Sequence, residues 1–442
     1  LQRRRLAVNT AIFAVFTALS RVVGLVREIV ASYLFGQGLA TSAFTIASQI
    51  PNLLANLFAQ AALSAAFVPV FTDLLEQGRR REAFRLATSL FWIILLALGS
   101  LTLLGILLAG LILPAFSGAN FDGQLAGLLT QIMFPVVLVL GLTGLLVGVL
   151  QSYDRFSLAA FAPVVWNGVI IVGTVALHRH FRQGIEAYAV SWLVATVVQM
   201  LLVVYALRTI DFRLSFEVDW HDPLIRQVFV LMLPVTVGLG IVNLDALINS
   251  SFGGLVRTNP AGQAPRAIQN AFLIYMLPQG IFSVAITTVL FPTLSRQAAR
   301  RDARGMRHVL ANGMRQINLL LIPAAVGIGL LATPIVQLLL QHGRFTAADT
   351  RYCAQALRWF AVSLPFSGLN LLMTRTFFAL QRPWIPARLA GINMVVDIVL
   401  SVALYRPLGI SGLVIGTAAA NMVMTYLQVR RLRIGFNGRL EL

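Results

Sequence analysis

Twelve stretches of mostly apolar residues, each about twenty residues or longer, recur between residues 7 and 429. A run of that length is what an α-helix needs to cross the roughly 30 Å hydrocarbon core of a bilayer. They lie at about 7–35, 41–72, 86–113, 124–150, 158–178, 185–207, 227–252, 267–295, 309–333, 348–378, 384–405 and 409–429. With 58% of its residues apolar and only 11% charged, the chain reads as an all-α polytopic membrane protein with about twelve spans, and its solvent is lipid.

The formal charge of +18 would suggest nucleic acid in a soluble protein. Here no platform of basic and aromatic residues and no groove-reading motif accompanies it, so nucleic acid is not an expected partner. With the N-terminus in the cytoplasm and the sides alternating, 23 arginines fall inside, among them Arg3 to Arg5, the "GRRREAFR" loop, the 208–226 loop and the "SRQAARRDARGMR" loop. Only 7 fall outside. The bias is the positive-inside signature and puts both termini in the cytoplasm. Every basic residue is Arg, the side chain that grips phosphate through two parallel hydrogen bonds. The first apolar run is too long and too broken by charge for a cleavable leader, and is expected to stay as the first helix. The single cysteine, Cys353, excludes a disulfide framework and reads as a small apolar residue. The five histidines, all at or near loops, show neither zinc-ligand spacing nor a buried triad.

An internal repeat organises the runs. "FPVVLVLGLTGLLVGVLQSYDRFSLAAFAP" and "LPFSGLNLLMTRTFFALQRPWIPARLAG" match in spacing: Pro135 stands as far before Leu150 and Gln151 as Pro365 stands before Leu380 and Gln381. A looser echo joins "IPNLLANLFAQAALSAAFVPVFTDL" to "LPQGIFSVAITTVLFPTLS". The offset implies two pseudo-symmetric six-helix lobes, at 1–208 and 227–432, with a cytoplasmic linker at 209–226 and a tail at 433–442.

Polar groups at membrane depth carry the functional information, because an ionised side chain at the bilayer centre is disfavoured by roughly 2.5 to 3.5 kcal/mol even on the lenient insertion scale. On the first helix Thr10, Thr17, Ser20, Arg21, Gly24, Arg27, Glu28 and Ser32 fall on one arc, while Val22, Val26, Ile29, Val30 and Tyr33 fall outside it. This face is expected to look into protein or an aqueous cavity. The second helix continues with Ser48, Asn52, Asn56, Gln60 and Ser64, four apart and polar without charge, beside a bend at Pro51. In the second half Asp245 pairs with Asn249, and Asn393, Asp397 and Ser401 recur every fourth residue. Two carboxylates and amide oxygens in a low-dielectric place suit a hard cation such as Na⁺, or a proton. Plainer readings stand beside these: interhelical glue for the second helix, a structural ion pair between Arg21 and Glu28, and a static hydrogen-bond network around Asp397.

Several stretches together resemble the lipid II flippase (MurJ/MviN) family of the MOP exporter superfamily: "SRVVGLVRE", "FGQGLATSAF", "IPNLL" with "SAAFVPVF", "YDRFSLAAFAPVVWN", "LFPTLS" and "QHGRFTAADT". The resemblance implies two six-helix lobes in a V around a central cavity that opens to each side in turn. It implies as substrate an undecaprenyl-pyrophosphate-linked peptidoglycan precursor, moved from the cytoplasmic to the outer leaflet of the bacterial inner membrane. Membrane lipids and other cell-wall synthesis proteins are the implied partners. Arg21 and Arg27 match the cavity arginines of the family's first helix, with Glu28, Asn52, Asn56 and Gln60 beside them. Asp245, Asn393, Asp397 and Thr417, with the Leu413 carbonyl, fall where members with a Na⁺ site have its ligands, which makes Na⁺ the expected coupling ion and leaves no other cofactor in view.

The sequence also departs from the family. Ser42, Ala55, Asn56 and Gln60 stand where charged residues are usual on helix 2, and Leu273 stands where helix 8 usually has an arginine. The family commonly adds two helices that form a groove for the lipid tail; they follow the twelfth, where this sequence stops at "NGRLEL", so they lie outside it or are lacking. The neutralised positions keep open a flippase for another polyprenyl-linked oligosaccharide, a drug or cation antiporter of the same fold, or a scaffold without transport. An intramembrane enzyme would need clustered acids or a Ser and His pair near an interface, and the sequence offers neither.

Overall fold

The computed structural model describes residues 2–55, 61–116, 122–153, 156–181, 184–210, 222–230, 232, 236, 252–256, 262–380, 382 and 384–437. Among these residues there is no β-strand. The chain divides into two compact units, Leu1–Asn243 and Leu244–Leu442.

The first unit contains α1 (Gln2–Phe35), α2 (Leu39–Ala55), α3 (Ala61–Glu76), α4 (Arg80–Ile112), α5 (Gly123–Met133), α6 (Pro135–Ser152), α7 (Phe156–Leu177) and α8 (Ile185–Leu207). Proline opens α6, where its missing N–H removes nothing a helix start would use. The second unit contains α9 (Ala264–Pro278), α10 (Val284–Ala299), α11 (Ala303–Leu330), α12 (Ala332–Leu340), α13 (Ala347–Ala379), α14 (Trp384–Leu408) and α15 (Ile410–Asn437). A π-helical turn, Gln279–Ser283, joins α9 to α10. Counting α5 with α6 and α9 with α10 as one each, eight helices among the described residues are long and apolar enough to cross a membrane. The first apolar run forms the single 34-residue helix α1, the second divides into α2 and α3, and most of the seventh, with Asp245 and Asn249, lies outside the described residues.

Two basic segments expected as loops are mostly helical. α10 continues to Ala299 and α11 resumes at Ala303, so only Arg300 to Asp302 turn the chain, with Arg301 left-handed at φ 52°. Asp302 caps α11 by accepting from the Gly305 N–H at 2.9 Å. In "GRRREAFR", Gly78 makes the turn at φ 75° and α4 begins at Arg80. Arginine is a good helix former, so a basic run at a membrane edge lengthens its helix rather than ending it.

Each unit is arranged about one buried helix. In the first, α6 contacts α3, α4 and α8, and Leu142, Leu145, Leu146, Val149 and Leu150 enter a core with Phe67, Phe71, Leu86 and Leu90. In the second, α13 touches α9, α10, α11, α12 and α15. The spans that carry Pro135 and Pro365 are the most buried of the eight, each with 67% of its apolar window covered, against 50% or less for the rest. The two segments that repeat in sequence therefore hold equivalent places in their own units.

Candidate functional site

Among the described residues, three gatherings of polar side chains bear on the candidate site, one in the first unit and two in the second. On α1 the face expected to look inward does so along its second half. Glu28 and Ser32 are buried, Gly24 lies beside Asn167, and Val22, Val26 and Tyr33 are exposed on the other side. Of the α1 residues before Phe16 and of Thr17, only the helical backbone is described. Arg21 is exposed, and no ion pair holds it among the described residues.

Arg27 sits differently, with its side chain 11% exposed. Its Nη2 and Nε both donate to Glu28 Oε1, at 2.6 Å and 3.2 Å, and Nη1 donates to Asn167 Oδ1 at 3.0 Å. The guanidinium carbon lies 5.1 Å from the Trp166 ring centroid and 4.8 Å from that of Trp192. Those two rings meet edge to face at 4.9 Å, and Tyr188 donates its hydroxyl to Glu28 at 3.3 Å. Asn167 fixes the corner by donating to the Pro163 carbonyl at 2.9 Å. Helices α1, α7 and α8 thus close a box of one carboxylate, one amide and three aromatic rings around a single guanidinium. Glu28 pairs with Arg27, not with Arg21 as in the plainer alternative reading of the sequence.

The helix 2 stripe is less informative. Ser48 is buried and returns its hydroxyl to the Thr45 carbonyl at 2.9 Å, Asn52 is half-buried, and Pro51 lies inside α2. Asn56 and Gln60 lie outside the described residues, and of Ser64 only the backbone is described.

In the second unit α14 and α15 form a tight hairpin. Gly409 turns it at φ 56°, and Gly412 and Gly416 bring the helices together; a Cβ at Gly416 would meet Ser401 Oγ at 2.8 Å and Asp397 Oδ1 at 3.0 Å. Small residues four apart are the usual means of close helix approach in membranes. The contact buries Asp397 to 1% exposure. Ser401 donates to its Oδ1 at 3.2 Å, and the Thr417 hydroxyl lies 3.4 Å from Oδ1, 3.3 Å from Oδ2 and 3.4 Å from the Leu413 carbonyl. One turn away on α14, the buried Oδ1 of Asn393 accepts no hydrogen bond from the described residues. Asp397, Thr417 and the Leu413 carbonyl, positions that the resemblance implied, lie side by side, while Asp245 lies outside the described residues.

A third group escaped sequence reading. Asn421 donates to Ser363 at 3.0 Å, Thr425 to Asn370 at 2.7 Å, and Gln428 to Thr374 at 3.0 Å. The result is a neutral seam between α13 and α15. The spacing of Asn421, Thr425 and Gln428, one face of a helix, was the signal that could have found it. Trp166, Asn167, Tyr188 and Trp192 were missed as well; a lone Asn at membrane depth beside "VVW" was the available clue.

The Lipid II flippase MurJ family model matches residues 31–439. The chain belongs to the MurJ family. The Lipid II flippase MurJ of Burkholderia cenocepacia is 32% identical over 431 residues, covering 94% of this chain and 82% of that protein. Among solved structures, a lipid II flippase MurJ in an inward closed conformation superposes with a TM-score of 0.81 at 23% identity, covering 97% of this chain and 89% of the other. An inward-facing multidrug resistance MATE transporter of the MOP superfamily superposes at 0.80 with 15% identity, covering 97% and 98%. These likenesses give the MOP fold. Membership of the MurJ family, with eight spanning helices among the described residues, makes the chain a multi-pass protein of the bacterial inner membrane.

Proposed function

We propose that this chain is a flippase that carries lipid II from the cytoplasmic to the outer leaflet by alternating access. The observation that carries the reading is Arg21: in a chain of the MurJ family, an exposed arginine stands inside the apolar run that forms α1. A charge in that position is disfavoured unless it meets an anion. The pyrophosphate of a polyprenyl-linked glycan is such an anion, and a guanidinium matches it with paired, charge-assisted hydrogen bonds. The lipid tail stays in the bilayer while the head group crosses.

The Asp397 cluster supports a coupling ion. Its donors are hard oxygens from a carboxylate, a hydroxyl and a carbonyl, and Asn393 Oδ1 is a buried acceptor that takes no hydrogen bond from the described residues. That set fits Na⁺, and Asp397, Asn393, Thr417 and the Leu413 carbonyl, with Asp245, are the residues that would hold it. A bound cation there offsets the buried carboxylate and ties α14 to α15. Both termini lie in the cytoplasm, on the weight of 23 arginines against 7, and cell-wall synthesis proteins are the expected partners.

The test is reconstitution into vesicles with labelled lipid II, following its accessibility across the bilayer with and without a Na⁺ gradient. Arg21→Ala should reduce flipping by at least about tenfold, the loss of roughly one charge-assisted contact. Wild-type flipping by this variant at equal protein would remove Arg21 from the site.

A further inference from the structure

Between Asp245 and Asp349 the sequence has a single acid, Asp302, set among arginines where α10 turns into α11. Asp302 caps α11 through the Gly305 N–H. Around it Arg300, Arg301, Arg304 and Arg307 are exposed, and Arg315 is exposed two turns further along α11. No guanidinium of these five makes a hydrogen bond or an ion pair among the described residues. Five like charges around one acid that already caps a helix form a surface that attracts anions.

The course of α11 shows what carries the anion. At about 100° per residue, Arg304, Arg307 and Arg315 fall on one face, and the same face continues into Leu319, Ile322 and Val326, all of them exposed. It therefore changes from basic to apolar within about one turn, between Arg315 and Leu319. That is the order in which a helix entering a bilayer meets headgroups and then acyl chains. A soluble partner seated on the turn at Arg301 would leave Arg315 unmatched, because Arg315 stands one turn from an exposed leucine. Its long stem can instead carry the guanidinium back to the level of the lipid phosphates. A tryptophan marks that level. α13 runs antiparallel to α11, with Gly313 beside Leu372 and Gly368 beside Ile317, so α14 starts at this same end of the unit. There Trp384 is exposed between Arg382 and Arg388, as tryptophans are at membrane interfaces. We infer that the turn between α10 and α11, with the first turns of α11, is a contact surface for anionic phospholipid headgroups, whose phosphates Arg304, Arg307 and Arg315 grip. The surface involves no substrate and does not rest on the flippase reading.

The test follows the thermal midpoint of the purified full chain in zwitterionic detergent as phosphatidylglycerol or phosphatidylcholine is added. Phosphatidylglycerol should raise the midpoint saturably and phosphatidylcholine should not, since only a ligand of the folded state stabilises it. Added KCl should weaken the rise. In the triple variant Arg304→Gln, Arg307→Gln, Arg315→Gln the half-maximal phosphatidylglycerol concentration should increase at least about tenfold. The pair Arg344→Gln with Arg351→Gln, exposed at the opposite end of the unit, should stay within about threefold of wild type. If the triple variant does not fold, each single glutamine variant should still shift the concentration about fivefold. A wild-type response from the triple variant, or from all three single variants, overturns the inference. So does an equal rise with inorganic phosphate, which would make the surface a site for a free anion, or with polyglutamate, which would make it one for an acidic protein. These readouts need no lipid II, so they stand or fall apart from the vesicle assay.

Discussion

The Arg27 box of the first unit holds its helices through charge, and the seam between α13 and α15 in the second holds its helices through neutral groups. In the box, one cation and one anion meet at 2.6 Å under aromatic cover. In the seam, amides and hydroxyls of α13 and α15 exchange hydrogen bonds of 2.7 to 3.0 Å, and the carboxylate Asp397 stands apart on α14. The energetic consequences differ in kind. A buried ion pair tolerates little displacement, since separating it leaves two charges unsolvated. Neutral interhelical hydrogen bonds in a membrane are worth about 0.6 kcal/mol on average, because each group finds a substitute partner easily. The box therefore holds α1 more firmly than each hydrogen bond of the seam holds α15.

Four substitutions break or sharpen that contrast. Glu28→Gln leaves Arg27 buried without its counter-charge and should lower stability by about 3 to 5 kcal/mol, read as the largest fall in thermal midpoint of the set. Gly416→Val forces a side chain against Ser401 and Asp397; it should destabilise by about 1 to 3 kcal/mol as an overpacked contact and abolish thermal stabilisation by Na⁺. A Na⁺ response equal to wild type would separate the cation from the hairpin. Thr425→Val, which removes the hydroxyl bonded to Asn370, should lower stability by less than about 1 kcal/mol, and a fall comparable to that of Glu28→Gln would erase the difference between the box and the seam. Arg79→Gln, which removes the solvent-exposed pair with Glu82, should leave the midpoint unchanged, as surface ion pairs usually do.

What could be read from sequence divides along similar lines. The apolar runs marked the spans, because lipid demands length and hydrophobicity of each helix separately. The polar face of α1 was legible at Val22, Val26 and Tyr33 for the same local reason. What was not legible is which part of that face a neighbouring helix covers: Glu28 is buried and Arg21 exposed, although both fall on one arc. Partner choice was equally hidden, since Glu28 pairs with the arginine next to it rather than with the one two turns away. Asp397, Thr417 and the Leu413 carbonyl came together as expected because family resemblance, unlike periodicity, carries contacts between helices. The seam at Asn421, Thr425 and Gln428 was overlooked because neutral side chains carry no alarm in a hydropathy scan.

The capped central helix of the second unit has a mechanical consequence. Thr346 and Asp349 close the start of α13 with a reciprocal capping box, and the helix then continues for 33 residues, about 50 Å against a hydrocarbon thickness of about 30 Å. A rod of that length is a lever. A tilt of about 10° at one end carries the other end about 9 Å, so small adjustments among the side chains at one end of α13 become displacements at the other as wide as a neighbouring helix.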